Sequence, residues 1–177
     1  MSNYIRLTIS ILTLFVFTAA CAQKKTTLKV GDKVPAFVLK DQEGKDFDLA
    51  KYIGKQKLVI YFYPKDESSV CTKEACAFRD SYTDYVQSGA VVIGINSGSV
   101  ASHKAFATNH NLPFVLLSDP GNKVLEMFGV KGVLSLTGRE TFVIDLSGKI
   151  VYKFRSMMSG DEHSDKALEY LAPGKHK

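Results

Sequence analysis

Two cysteines five residues apart, Cys71 and Cys76, fall in residues 58–80, LVIYFYPKDESSVCTKEACAFRD. An apolar run over 58–63 stops at Pro64, and a short polar loop then delivers Cys71 to the start of a helical pattern. A helix N-terminus carries about half a positive charge and several N–H groups without intrahelical partners, so a thiolate is favoured there, and the thiolate is the nucleophile. Ser68 and Ser69 stand where they could cap the helix or offer a hydroxyl to a bound substrate. Asp66 and Glu67 would oppose a thiolate if they came close. In an intact helix, Cα atoms five residues apart are separated by roughly 8.6 Å. A disulfide needs roughly 4.4–6.8 Å. A Cys71–Cys76 bond therefore requires the first turns to unwind, which predicts two conformations: a folded one carrying a sulfenic acid on Cys71, and a locally unfolded one in which Cys76 condenses with it.

The elements that must hold this stretch follow from periodicity. Residues 34–40 and 47–49 read as strands of an N-terminal hairpin around the turn 41–44, with a helical turn over 51–54 and a strand over 58–63. Cys71, Ala75, Phe78, Tyr82 and Tyr85 recur at spacings of three and four, so one helix is predicted over 71–87, closed by Gly89. Strands at 90–95 and 114–117 alternate with helices at 99–109 and 122–128. A hairpin, 141–145 and 149–154 around the turn 146–148, and a helix over 161–171 complete the chain. This alternation implies an α/β fold with a mostly parallel, mixed sheet flanked by helices.

The first 20 residues stand outside that fold. Arg6 is followed by an apolar run that ends in Thr18, Ala19 and Ala20 before Cys21, the layout of an export signal. The run is shorter than the roughly 20 residues that span a bilayer. Small residues before Cys21 resemble a bacterial lipoprotein box, which would place a lipid on that cysteine, although Ala20-Cys21-Ala22 also fits a cleavage that releases a soluble protein from Gln23. The polar residues after Cys21 resemble a tether and favour the lipoprotein reading. The expected division is a signal over 1–20, a tether over 21–30, a domain over 31–171 and a tail over 172–177. Residues 1–20 carry only Arg6 as a charged side chain, so removing them lowers the formal charge from +5 to +4. The end lysines Lys24, Lys25, Lys29, Lys175 and Lys177 form no block of like charge of the kind that marks a nucleic-acid-binding tail. They suit an anionic membrane surface.

YFYPKDESSVCTKEACAFRD resembles the active-site segment of peroxiredoxins, specifically the Q-type or bacterioferritin-comigratory group. VVIGINSGSVASHKAF, NLPFVLLSDPGNKV, the Phe128-Gly-Val130 that follows and RETFVIDLSGKIV are similar to later segments of that group, so the resemblance spans about residues 31–171. It implies a thioredoxin-like fold and reduction of hydroperoxides, without metal, haem or nucleotide. Cys71 matches the peroxidatic cysteine, Cys76 the resolving cysteine, and Arg139 the arginine that orients thiolate and peroxide. Pro64 would shield the pocket, with Tyr63 and Val70 bordering it. The family's usual Thr is Ser68 here, and its following Pro-Gly is Ser69-Val70. Val70 is ill suited to a positive φ, which puts the geometry of the peroxide loop in question. The segment 132–138 looks shorter than in relatives and could open the pocket.

What the resemblance implies is a thiol peroxidase recycled by an external thioredoxin-like dithiol protein; a monomer or weak dimer is expected, and the N-terminal segment adds a lipid anchor in the bacterial periplasm. Plainer readings exist for each marker. Paired helical cysteines are often inert core residues, an arginine before a strand is often a surface partner, and Glu74 and Arg79 read as a supporting pair. His103 and His110, at i and i+7, form no compact metal pair. A membrane-tethered thiol-disulfide oxidoreductase would use Cys-x-x-Cys, and a non-enzymatic copper carrier would need a histidine close to both sulfurs.

Overall fold

A computed structural model describes residues 27–132 and 138–172. Seven strands form one sheet: β1 (Val38–Asp41), β2 (Asp46–Asp48), β3 (Lys57–Phe62), β4 (Ala90–Asn96), β5 (Val115–Ser118), β6 (Glu140–Ile144) and β7 (Ile150–Phe154). Their order across the sheet is β2-β1-β5-β4-β3-β6-β7. The helices are α1 (Ser69–Asp80), α2 (Tyr82–Gln87), α3 (Val100–Asn109), α4 (Lys123–Phe128) and α5 (Gly160–Leu171).

The expected α/β class and N-terminal hairpin hold, but the sheet is not mostly parallel. Among the described strands, only β3–β4 and β4–β5 pair in parallel. The β1–β2, β1–β5, β3–β6 and β6–β7 pairings are antiparallel. Alternation of strands and helices signals parallel crossovers only in the middle of the chain, where α1 to α3 carry it from β3 to β4 to β5. The two hairpins add antiparallel edges, which the count of alternating elements conceals.

β3 explains how one strand organises both sides. Successive side chains point to opposite faces. Leu58, Ile60 and Phe62 join Phe37, Val124, Leu125, Phe128 and Phe142 in one core layer. Val59 and Tyr61, with Tyr63 just beyond the strand, join Cys71, Ala75, Phe78, Tyr85, Phe106 and Ala167 in the other. Both faces are covered, so β3 reads as a continuous apolar run rather than an alternating one.

The single helix predicted over 71–87 is two. α1 ends at Asp80 and α2 starts at Tyr82, with Ser81 between them at φ −98° and ψ 10°. The apolar spacing runs through this bend because Phe78, Tyr82 and Tyr85 pack into the same core layer on both sides of it. Elsewhere the expected elements shift at their ends by a few residues; the first strand shrinks most, from 34–40 to Val38–Asp41. Leu28, assigned to the tether, packs against the core, and its carbonyl accepts a hydrogen bond from Lys153. The export signal, Cys21 and residues 133–137 of the shortened segment lie outside the described residues.

Candidate active site

α1 begins six residues past Tyr63, so the sheet edge and a short loop fix where the thiol stands. Ser68 occupies the N-cap position in extended backbone, φ −78° and ψ 144°. Cys71 is the third residue of the helix, where backbone N–H groups precede the first intrahelical acceptor. One face of α1 buries Cys71, Glu74, Ala75 and Phe78, the i, i+3, i+4, i+7 pattern of a core-facing helix.

Arg139, immediately before β6, is 2% exposed and reaches the same spot from the sheet. Its Nη2 donates to Cys71 Sγ at 3.1 Å. Nη1 donates to Glu74 Oε2, and Nε to the Met157 carbonyl at 3.3 Å. The guanidinium is thus held by two oxygen acceptors, with Nη2 turned to the sulfur. Cys71 is buried, Cys76 is half-buried, and both are free thiols in an unbroken helix. The turns that a disulfide would have to unwind are folded here.

The loop before α1 is held by a buried carboxylate. Asp66 Oδ1 accepts from Tyr63 Oη at 2.8 Å and from Asn96 Nδ2 at 2.9 Å. Its Oδ2 accepts from Ser102 Oγ at 2.5 Å and lies 2.9 Å from His103 Nδ1. Burial raises the Asp66 carboxyl, but the bonds from His103, Ser102 and Tyr63 outweigh it and hold the group below its ordinary range. Asp66 therefore ties the loop to β4 and α3 instead of confronting the thiol. Glu67 takes the loop's left-handed conformation at φ 59°, pinned by Asn109 Nδ2 at 2.9 Å and His110 Nε2 at 2.8 Å.

Several sequence readings change against this geometry. Val70 needs no positive φ, because it lies inside α1; Glu67 takes that role. Ser68 does not cap the helix with its side chain; its hydroxyl donates to the Lys65 carbonyl at 3.2 Å. Tyr63 is fully buried against Asp66, and Pro64 is half-buried at the end of β3. Glu74 does not pair with Arg79. Its partner is Arg139, while Arg79 bonds Asp80 and the His110 carbonyl. His103 and His110, considered for metal, serve as loop anchors through Asp66 and Glu67. The signal for Glu74 was present in the sequence: a carboxylate on the apolar stripe of a helix must be paired.

A buried thiol at the start of a helix, with a buried arginine contacting its sulfur, defines a thiol-based redox protein. Comparison makes this specific. The model of the AhpC/TSA family matches residues 30–153. Over 143 residues and 80% of this chain, the sequence is 48% identical to a chloroplastic peroxiredoxin Q from Sedum lineare, covering 76% of that protein. It is also 48% identical to a chloroplastic peroxiredoxin Q from Triticum aestivum, covering 65% of that protein. Among solved structures, the peroxidoxin BcpB of Mycobacterium tuberculosis superposes with a TM-score of 0.76 at 38% identity, covering 81% of this chain and 96% of that one. A PrxQ mutant from Xylella fastidiosa gives a TM-score of 0.76 at 27% identity, covering 82% of this chain and 96% of the other. The chain belongs to the AhpC/TSA family, in its peroxiredoxin Q group, and its seven-stranded architecture is the thioredoxin-like fold of those structures.

Proposed function

We propose that this protein is a thiol-dependent peroxidase that reduces hydroperoxides through Cys71. The observation that carries the reading is the 3.1 Å contact between Arg139 Nη2 and Cys71 Sγ at the first turn of α1. The arginine and the helix N-terminus both favour a negative sulfur. A peroxide beside them is attacked at its OH-bearing oxygen: an S–O bond forms, the O–O bond breaks, and the other oxygen leaves as RO⁻ and takes up a proton. Arg139 and the first-turn N–H groups face the charge that develops. Ser68 Oγ reaches the peroxide by giving up its bond to the Lys65 carbonyl, with Tyr63, Pro64 and Val70 bounding the site. Cys76 then condenses with the sulfenic acid as α1 unwinds, releasing water, and a thioredoxin-like dithiol protein reduces the disulfide by exchange. Steady-state turnover of hydrogen peroxide and an alkyl hydroperoxide with such a donor tests the reading. Turnover abolished by Cys71→Ser supports it, and turnover that persists in Cys71→Ser contradicts it.

We further infer that the protein works outside the cytoplasm as a lipoprotein attached through Cys21, as a monomer or weak dimer. Support comes from residues 1–25: the apolar run, the small residues before Cys21 and the polar stretch after it. Incorporation of labelled palmitate, lost in Cys21→Ser, tests the anchor; a soluble mature protein beginning at Gln23 would refute it.

A further inference from the structure

Behind Arg139, on the side away from the thiol, lie side chains that the peroxidase cycle does not yet use. Glu74 is fully buried. Arg139 binds its Oε2, whereas Oε1 is buried without a hydrogen-bond partner and faces His163 Nδ1 at 3.5 Å. His163, on α5, is also fully buried. Its Nε2 lies 3.0 Å from the Ser156 carbonyl, and its Nδ1 lies 2.7 Å from Thr141 Oγ1. A carbonyl only accepts, so Nε2 carries the ring hydrogen and Nδ1 is the accepting nitrogen. Burial above all holds the His163 ring down to about 4, so it is neutral at pH 7.

Among the described residues, the titratable groups around Glu74 are Cys71 on its own helix, Arg139 before β6, His163 on α5 and Tyr61 on β3. Burial, with help from the acidic groups nearby, keeps the Tyr61 phenol protonated far above its usual range. Arg139 is then the one positive charge, with two candidates to balance it, Cys71 and Glu74. Ionising both would leave an uncompensated negative charge in a site closed to water, which is costly. Burial outweighs the neighbouring arginine and raises the Glu74 carboxyl to about 8, in the direction this balance requires.

We propose that Glu74 stores a proton opposite Cys71: in the reduced protein Arg139 balances the Cys71 thiolate while Glu74 is a neutral acid with its hydrogen on the side of His163. The proposal rests on the peroxidase reading. When the thiolate attacks ROOH, sulfur is oxidised to the neutral sulfenic acid, the O–O bond breaks and the electron pair leaves with RO⁻. Arg139 loses its thiolate partner, Glu74 ionises in its place, and the proton it releases equals the one that turns RO⁻ into ROH. The step exchanges no net proton with bulk water. Arg139 is then held by Glu74 and the Met157 carbonyl, and the first turn of α1 is released toward Cys76.

Proton counting decides the matter. In a Cys76→Ser background the cycle stops at the sulfenic acid. With one equivalent of hydrogen peroxide at pH 7, in weak buffer with an indicator dye, proton uptake is counted against sulfenic acid measured by intact mass. Adding Glu74→Gln to that background should raise uptake by one proton per sulfenic acid. Equal uptake in the two proteins would overturn the proposal. If no sulfenic acid forms in the Cys76→Ser protein, the peroxidase reading itself fails and the proposal with it. Should the Glu74→Gln protein not fold, the infrared difference spectrum of Cys76→Ser before and after oxidation reads the same proton. Loss of a protonated-carboxyl C=O stretch supports the storage role, and an unchanged carboxyl region overturns it.

Discussion

Arg139 and Cys71, 68 residues apart in sequence, meet at 3.1 Å between Nη2 and Sγ. The pairing depends on β6 lying next to β3, with Phe62 opposite Glu140, so that the residue before β6 arrives beside the helix that follows β3. The same guanidinium donates to Glu74, a buried hydrogen bond one turn from the thiol.

Arg139→Ala removes a charge-stabilising donor and leaves the buried Glu74 Oε2 without its hydrogen-bond partner. The second-order rate constant for peroxide should fall by about 10²–10³, and unfolding free energy by about 1–3 kcal/mol. Arg139→Lys keeps the charge but not the fork that serves Cys71, Glu74 and Met157 together, so it should recover stability more than rate. Stopped-flow kinetics and urea unfolding measure the two separately.

Asp66→Ala would strand the donors of Tyr63, Asn96, Ser102 and His103. A loss of about 2–4 kcal/mol is expected, together with slower peroxide reaction as the loop before α1 loosens. Because the folded Asp66 carboxyl lies below its ordinary 3.8, its stabilisation is complete above that value and is lost as pH falls through the lower folded value. Acid unfolding of the wild type should therefore show a component that Asp66→Ala lacks.

Glu74 and His163 act on stability in opposite directions. His163 falls from 6.5 to about 4 on folding, so its contribution is full above 6.5 and is lost as pH drops toward 4. Glu74 rises from 4.5 to about 8, so its contribution is full below 4.5 and is lost as pH rises toward 8. Relative to Glu74→Gln, the reduced wild type should lose stability across that interval, by at most about 1.4 kcal/mol per pH unit. Denaturant melts at a series of pH values give the difference curve; a flat one would mean that Glu74 is ionised throughout.

Gly160 opens α5 against the first turn of α1: a Cβ there would lie 2.4 Å from the Val70 carbonyl oxygen and 3.2 Å from Glu74 Cβ. Gly160→Ala should cost about 1–3 kcal/mol and, by pushing on that turn, speed Cys71–Cys76 disulfide formation after sulfenylation. Quenched-flow mass spectrometry reads the rate. Unchanged stability and unchanged rate would mean the helices part without strain.

What could be read from the sequence divides along physical lines. β3 was legible because six consecutive apolar residues bounded by Pro64 have few other places to go, and α1 because its buried positions repeat at three and four. The bend at Ser81 was not, since the residues on both sides face the same core layer and the period passes through it. Cys71 and Cys76 were legible from their spacing at the start of a helix, and Arg139 through the resemblance of whole segments. The roles of Asp66, His103 and Glu74 were not legible because each is defined by a partner 37 to 65 residues away; for Glu74, local reasoning offered the nearer Arg79 instead. Asp66 looked like a charge opposed to the thiolate; its four hydrogen bonds make it an anchor.

The central claim is that Cys71 is oxidised first and Cys76 resolves it. One equivalent of hydrogen peroxide added to the reduced domain beginning at Gln23, with free thiols and intact mass followed in time, tests it most directly. The account predicts rapid loss of both thiols with a mass decrease of two hydrogens, abolished by Cys71→Ser and replaced by a sulfenic acid in Cys76→Ser. Oxidation no faster than that of a free thiol, or equally rapid loss of the Cys76 thiol in Cys71→Ser, would contradict it.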